Sequence, residues 1–379
     1  MKIAWITVHR TLNYGTMLQA YACDRIFREF GYDTLLVDYY RSRDYRDSSF
    51  QTPLSYYRFR KRAEGARKPR ERLVLALKSA ASYRTTKRFH AICDSFLNEH
   101  FTLSKPYDSS EALKCDPPLA DLYCAGSDQV WNTEYNGGID EAFYLTFAPP
   151  DRAKLSFASS IGIEHFSGED GKRVRELLGG FSAISVREES AKALLGQLGL
   201  VSTAVLDPTL LLDAGQWETL ASKPLFDEPY LLIYKLKGDG RLDRAAHEIA
   251  MRKKLKIVRL AFGNRGKAAD ETAVVLPEVG EFLSLMKNAA FVVTNSFHGT
   301  CFAVNFNRQF LTVTRERYNS RMTNVLEKVG LSDRLLTRDA ADVAALSDIA
   351  YEAVNRRLDA ERGRARAWLS EALGRRSEG

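Results

Sequence analysis

The 379 residues carry 45% apolar and 27% charged side chains, the balance of a globular chain long enough for two ordinary domains and too apolar to be disordered. No apolar run approaches the ~18 residues of a membrane span and the start has no signal-peptide core, so a cytoplasmic protein is expected. The five cysteines form no CxxC pair, and no His, Cys and Asp residues fall at metal-ligand spacing, so neither a metal nor a cofactor is expected.

The first elements read as strand, helix, strand. Residues 2–8 are a continuous apolar run, 14–30 a helix stopped by Gly31, and 34–40 a second apolar run. Between the first two, Asn13 can cap the helix, and Gly15 lets backbone approach a ligand at its start. A plain capped turn reads equally well there.

Residues 41–90 then hold 15 Lys or Arg against four acids, Asp44, Asp47, Glu64 and Glu71. They belong to a basic helical insertion spanning 41–110. It reads as a solvated helical face. With Tyr56, Tyr57 and Phe59 among the charges, and Leu73, Val74, Leu75 and Leu77 after them, it reads alternatively as a helix meeting an anionic membrane surface. No nucleic-acid motif accompanies it, so nucleic acid is not an expected partner.

Short apolar strands follow at 119–125, 154–159 and 183–187, the last trailed by a helix at 190–198. Beyond the first of them, Gly126-Ser127-Asp128-Gln129-Val130-Trp131-Asn132 gathers a carboxylate, two amides and an indole where a sugar could be gripped, with Trp131 in the core as the plainer alternative. Arg187, at another strand end, is either paired with an acid or available as a bidentate anion clamp. Residues 205–212 read as a hinge around Pro208.

The alternation restarts at 230–236, 241–253, 256–261 and 279–287, then continues through strands at 289–293 and 310–313 to a long final helix at 347–373. Two successive alternations predict an α/β chain of two Rossmann-like, doubly wound domains facing a cleft, 1–206 and 207–346, followed by a C-terminal helix, 347–379.

The densest signal is Asn295-Ser296-Phe297-His298-Gly299-Thr300, which follows the strand at 289–293. Ser296 offers an N-cap, and His298 falls in the first turn of a helix just past a strand's carboxyl end, the crevice where open α/β sheets bind ligands. Unpaired N–H groups and the helix dipole favour an anion there, and Arg315, Arg317 and Arg321 follow closely. No GxGxxG follows the first strand and no P-loop occurs, which leaves dinucleotide and P-loop chemistry without support.

Asn13-Tyr14-Gly15 with Leu18-Gln19-Ala20-Tyr21-Ala22, Gly126 through Asn132, Val186-Arg187-Glu188, Asp207-Pro208-Thr209-Leu210-Leu211-Leu212 and Ser296-Phe297-His298-Gly299-Thr300 occur in one order over nearly the whole chain. Together they resemble the polysaccharide pyruvyl transferase family; only residues 41–110 fall outside the resemblance.

That resemblance implies a GT-B-like pair of domains and the transfer of pyruvate from phosphoenolpyruvate onto two hydroxyls of a sugar, closing a ketal in cell-surface polysaccharide synthesis. It implies Arg187 and His298 as phosphoenolpyruvate contacts, with a third arginine among Arg315, Arg317 and Arg321, the latter two preferred. Asp128 is the candidate for orienting or deprotonating a sugar hydroxyl, and Asn13, Tyr14, Gly15, Ser127, Gln129, Trp131 and Asn132 complete the substrate-binding set. The chemistry suits these residue types, since a carboxylate and a phosphate need cations and the donor's methylene needs a general acid. A sugar or a lipid-linked oligosaccharide is the implied acceptor; with a lipid-linked one, the basic insertion would hold the protein at the inner face of the plasma membrane. Two other readings are a GT-B glycosyltransferase using a nucleotide sugar and a non-catalytic sugar-binding protein.

Overall fold

The computed structural model describes residues 1–41, 44–65, 68–236, 238–263, 269–314, 320–336 and 346–374. Strands β1 (Lys2–Ile6), β2 (Asp33–Leu36), β3 (Leu122–Ala125), β4 (Ala153–Ser159), β5 (Ala183–Val186) and β6 (Thr203–Ala204) form one all-parallel sheet, ordered β2-β1-β3-β4-β5-β6. Strands β7 (Tyr230–Tyr234), β8 (Lys256–Ala261), β9 (Glu271–Val275), β10 (Phe291–Thr294), β11 (Gln309–Val313) and β12 (Leu335–Leu336) form a second, ordered β12-β11-β10-β7-β8-β9. Parallel strands are covered on both faces, which is why β7 and β10 are buried at every residue and apolar but for Thr294 at the end of β10. Each strand order reverses once, between β1 and β3 and between β7 and β10. These are the two points where loops diverge and leave a crevice at the strands' carboxyl ends.

Helix α1 (Tyr14–Glu29) starts where its sequence promises, because the Asn13 side chain accepts from the Gly15 N–H. It is also the wall between the halves. Tyr14 stacks on Phe282 of the second half with ring centroids 4.8 Å apart and planes 4° from parallel, and its hydroxyl donates to the Pro277 carbonyl. The hinge segment is a short buried helix, Pro208–Leu211, packed between α1 and the helix Phe297–Asn305. Asn305 locks it by donating to the Thr209 and Leu212 carbonyls. The final helix, Tyr351–Gly374, then crosses back. Arg362 bonds the Leu210 carbonyl and Asn305, Arg366 pairs with Glu29 of α1, and Trp368 stacks on Phe157 of β4. One apolar cluster therefore runs through both halves.

The insertion is a helical hairpin, α2 (Pro53–Glu64) and α3 (Pro69–His100). Tyr45, Phe50, Tyr56 and Phe59 form an aromatic knot at its base, and Phe89, Ile92, Phe96 and Leu97 of α3 join the main core. No helix among the described residues is long and apolar enough to cross a membrane.

Several expected boundaries move for local reasons. β2 ends at Leu36, which makes a single bridge to Leu103, and beyond it Tyr39 makes another to Tyr107. β3 begins at Leu122 because the Asp121 carboxylate accepts from the Lys2 N–H and Leu119 lies in solvent. Strands β6, β9 and β12 were not anticipated. β6 and β12 are two residues each, and β9 opens with Glu271, a charge that is buried only because Arg259 of β8 meets it with both Nε and Nη2.

Candidate active site

Four loops at strand carboxyl ends meet at the junction of the halves. After β3 the chain turns sharply, and Asp128 takes a left-handed conformation at φ 67°, which Asp tolerates better than most residues. Its Oδ2 accepts from the Thr16 hydroxyl at 2.9 Å and its Oδ1 from Nη2 of Arg187 at 3.2 Å. Arg187 follows β5 and is 3% exposed. Its Nη1 donates to Asp207 Oδ2 at 2.7 Å, and its Nε lies 3.6 Å from Glu188 Oε2. Asp207 is held in turn as the cap of the hinge helix, accepting from the Thr209 N–H and hydroxyl.

The fourth loop brings His298, second residue of the helix Phe297–Asn305, whose cap is Ser296 accepting from the Gly299 N–H. Its Nε2 stands 4.0 Å from Asp207 Oδ2, and no described residue offers it a hydrogen bond. Gly15 explains how two halves can come this close. A Cβ at that position would lie 2.2 Å from His298 Nδ1, so only a bare backbone lets the start of α1 abut the imidazole. Phe297 sits between two guanidinium groups, Arg187 at 4.7 Å and Arg321 at 5.4 Å from its centroid.

These contacts set the charges. Burial alone raises the Asp128 carboxyl, but Arg187, then His298 and Arg321, more than offset it and hold the group down to about 2. Asp207 is lowered the same way, burial being overcome by Arg187, His298 and Thr209. Arg187 stays charged because Asp207, Asp128 and Glu188 outweigh its own desolvation. His298 goes the other way. Burial drives it below its ordinary value against the pull of Asp207 and Asp128, so the imidazole is neutral at neutral pH.

The structure thus brings together Asp128, Arg187, His298, Gly15 and Arg321; Arg315 and Arg317 lie outside the described residues. It redistributes the others. Trp131 is no sugar platform. It is 1% exposed, stacked on Tyr144, with its indole N–H on the Phe143 carbonyl. Tyr14 is spent on the junction, Ser127 is fully buried, and Asn132 caps a short helix while its amide donates to Gln129. Asn13 caps α1 and lines a cavity of about 410 Å³ with Arg10, Arg41 and Tyr135. Arg10 is itself fixed there by Asp38 and by Asp94 of α3.

Glu188 stands beside Arg187 as the acid-paired reading of that arginine expects, whereas sequence reasoning missed Asp207 as its second partner. Asp207 shows in sequence as part of a hinge and a motif, and Asp before Pro-Thr is also a capping pattern. Glu188 accepts from the Ser160 hydroxyl and from the Ile161 and Gly162 N–H groups, which shapes the loop beyond β4. Their presence changes what Arg187 can do. Its donors already face carboxylates, so an incoming anion meets a neutralised cluster, and protonating His298 adds positive charge to it.

Among solved structures, the chain is similar to the UDP-GlcNAc 2-epimerase of Neisseria meningitidis bound to UDP-GlcNAc, at 11% identity over 99% of this chain and all of that one, TM-score 0.51. It is similar also to MnaA of S. aureus in its UDP co-structure, at 13% identity over 98% and 91%, TM-score 0.51. At such identities the likeness establishes the GT-B-type fold of two Rossmann-like units and nothing of substrate. A search of the curated proteins finds no match. The model of the polysaccharide pyruvyl transferase family matches residues 13–317, beginning at the cap of α1 and running through the loops of Asp128, Arg187, Asp207 and His298, and the chain belongs to that family.

Proposed function

We propose that the protein transfers the pyruvyl group of phosphoenolpyruvate to two hydroxyls of a sugar, forming a ketal during polysaccharide assembly. In this reading residues 1–206 form the acceptor side, 207–346 the donor side and 347–379 the clasp between them. The observation that carries it is the convergence of Asp128, Arg187, Asp207 and His298 at the junction, with a buried neutral imidazole beside two ionised carboxylates. A dianionic donor entering near His298 raises its pKa and draws a proton onto it. The imidazolium then neutralises the phosphate or protonates the methylene carbon, leaving an oxocarbenium-like centre for the first sugar hydroxyl. Phosphate departs as the second hydroxyl closes the ring. Asp128 orients or deprotonates a hydroxyl, and Arg187 holds both Asp128 and Asp207 in place. The cavity of about 410 Å³ beside Asn13, with Arg10, Arg41 and Tyr135 on its wall, suits an acceptor sugar.

Incubating the protein with phosphoenolpyruvate and a panel of sugars and lipid-linked sugars tests this. Phosphate release matched by a pyruvyl adduct in the product mass is the expected result. Release of a nucleoside diphosphate from nucleotide sugars, with phosphoenolpyruvate untouched, would replace it with the glycosyltransferase reading. Binding of sugar without turnover of either donor would leave a sugar-binding protein.

A further inference from the structure

The site at the junction makes no use of the outer face of α3, although the family match spans that helix. From Arg72 to Cys93 the helix carries five Lys or Arg and not one Asp or Glu over 22 residues. Its first half touches the protein lightly: before Phe89 only Leu75 and Ser79 are buried. Leu73 and Leu77 are 63% and 65% exposed, more open than a globular protein normally leaves adjacent leucines. Leu73, Leu77, Arg84 and Arg88 are spaced by four, seven and four residues, so they share one side of the helix. Among the described residues Arg72, Lys78, Arg84, Lys87 and Arg88 have no carboxylate partner. Other helices and strand ends of the surface behave differently, pairing Arg252 with Glu248, Lys256 with Glu228 and Arg356 with Glu352.

We propose that the face of α3 from Leu73 to Arg88 is an interfacial docking surface for anionic membrane lipid. The leucines enter the headgroup boundary and Arg84, Lys87 and Arg88 meet lipid phosphates, an arrangement that needs the apolar and basic side chains on one face and no acid among them. A second copy of the chain is a poor occupant, because pairing this face with itself crowds the cations of both copies together with no carboxylate to offset them. The neighbouring side of the same helix, Lys78, Ser82 and Thr85, borders a cavity of about 700 Å³ closed by Lys235, Arg259 and Phe262, so the docking face and the cleft between the halves share a wall. Docking is independent of the reaction catalysed.

Sedimentation of the whole chain with vesicles, at physiological salt, tests the proposal without turnover. Binding is expected with phosphatidylcholine vesicles containing phosphatidylglycerol, and not with phosphatidylcholine alone. At about one tenfold step per 1.4 kcal/mol and ~1 kcal/mol per surface cation, Arg84→Glu/Lys87→Glu/Arg88→Glu lowers affinity on the order of 100-fold or more. Leu73→Ser/Leu77→Ser weakens it while leaving charge unchanged. Reversing three other exposed cations as a matched control, Arg152→Glu/Lys192→Glu/Lys223→Glu, retains binding, and circular dichroism verifies that each variant is folded. Absence of the unaltered protein from the vesicle pellet overturns the proposal. So does equal loss in the matched control, or self-association that covers Leu73 and Leu77 in place of lipid.

Discussion

Arg187 and Arg88 are residues of the same type in one basic chain, yet they obey opposite rules. Arg187 is 3% exposed and stands among Asp207, Asp128 and Glu188; Arg88 lies in solvent with no carboxylate near it among the described residues. In the interior an uncompensated charge costs several kcal/mol, so the sequence must supply counter-charges from β3, β5 and the hinge at one point. On the surface water and salt screen a charge within about 10 Å, and it can stay unpaired at little cost until a partner arrives. The difference separates residues that hold the molecule together from residues kept for contact with something else.

The largest effect should follow from breaking the interior case. Arg187→Ala leaves Asp128, Asp207 and Glu188 facing one another without their cation, at a cost of about 3–5 kcal/mol. In urea unfolding this appears as a lower midpoint at unchanged slope. Loss of activity in this variant is therefore not evidence of a catalytic role, whatever the family resemblance implies for the residue. Unchanged stability would show that the cluster is not ion-paired in solution.

His298 gives the sharper functional test, since no described residue hydrogen-bonds its Nε2 and its loss strands no charge. His298→Gln should lower turnover by about 10²–10³-fold, the usual consequence of removing one group that stabilises developing charge, while unfolding free energy changes by no more than about 1 kcal/mol. Equal losses of stability and activity would make the imidazole a packing residue. Gly15→Ala comes next. The added methyl collides with His298 Nδ1, so either the ring or the start of α1 must move, at about 1–3 kcal/mol. Turnover should fall with it, because the displaced group is the imidazole.

The pH profile reads the same group without mutation. Burial depresses the His298 pKa in the free protein, so the protonated form, and with it kcat/KM, is lost as pH rises through that lowered value. A bound dianion raises the pKa, and the limb of kcat should lie at higher pH than the limb of kcat/KM. Coincident limbs would argue against proton uptake on donor binding. For stability the sign is reversed. A depressed His pKa favours the folded state at high pH, and that contribution falls away as pH drops below the ordinary value of 6.5.

What could be read from sequence follows the same division. The caps Asn13 and Ser296, the strand carboxyl ends and the glycine against the site were legible because each depends on its own few residues. Trp131 was not, since an indole after a strand looks alike whether Phe143 and Tyr144 cover it or solvent does. Asp207 was hidden for a related reason. Its cap to Thr209 is local, but its ion pair with Arg187 spans 20 residues and two loops. Short edge strands such as β6 and β12 have too few residues to show any period.

The smallest effect should come from the surface case, and its smallness carries the argument. Reversing Arg84, Lys87 and Arg88 to Glu on α3 removes no ion pair among the described residues, and exposed substitutions away from caps and cores change stability by about 0.5 kcal/mol or less. If anything the chain gains, because acids now lie among Arg72, Lys78 and the other cations of the hairpin and relieve their mutual repulsion. A thermal midpoint equal to or above that of the parent, together with unchanged phosphoenolpyruvate affinity, is the outcome that keeps these residues outside both the fold and the donor site. A substantial fall would mean that α3 already rests on a partner surface within the molecule, and the contrast between Arg187 and Arg88 would lose its meaning.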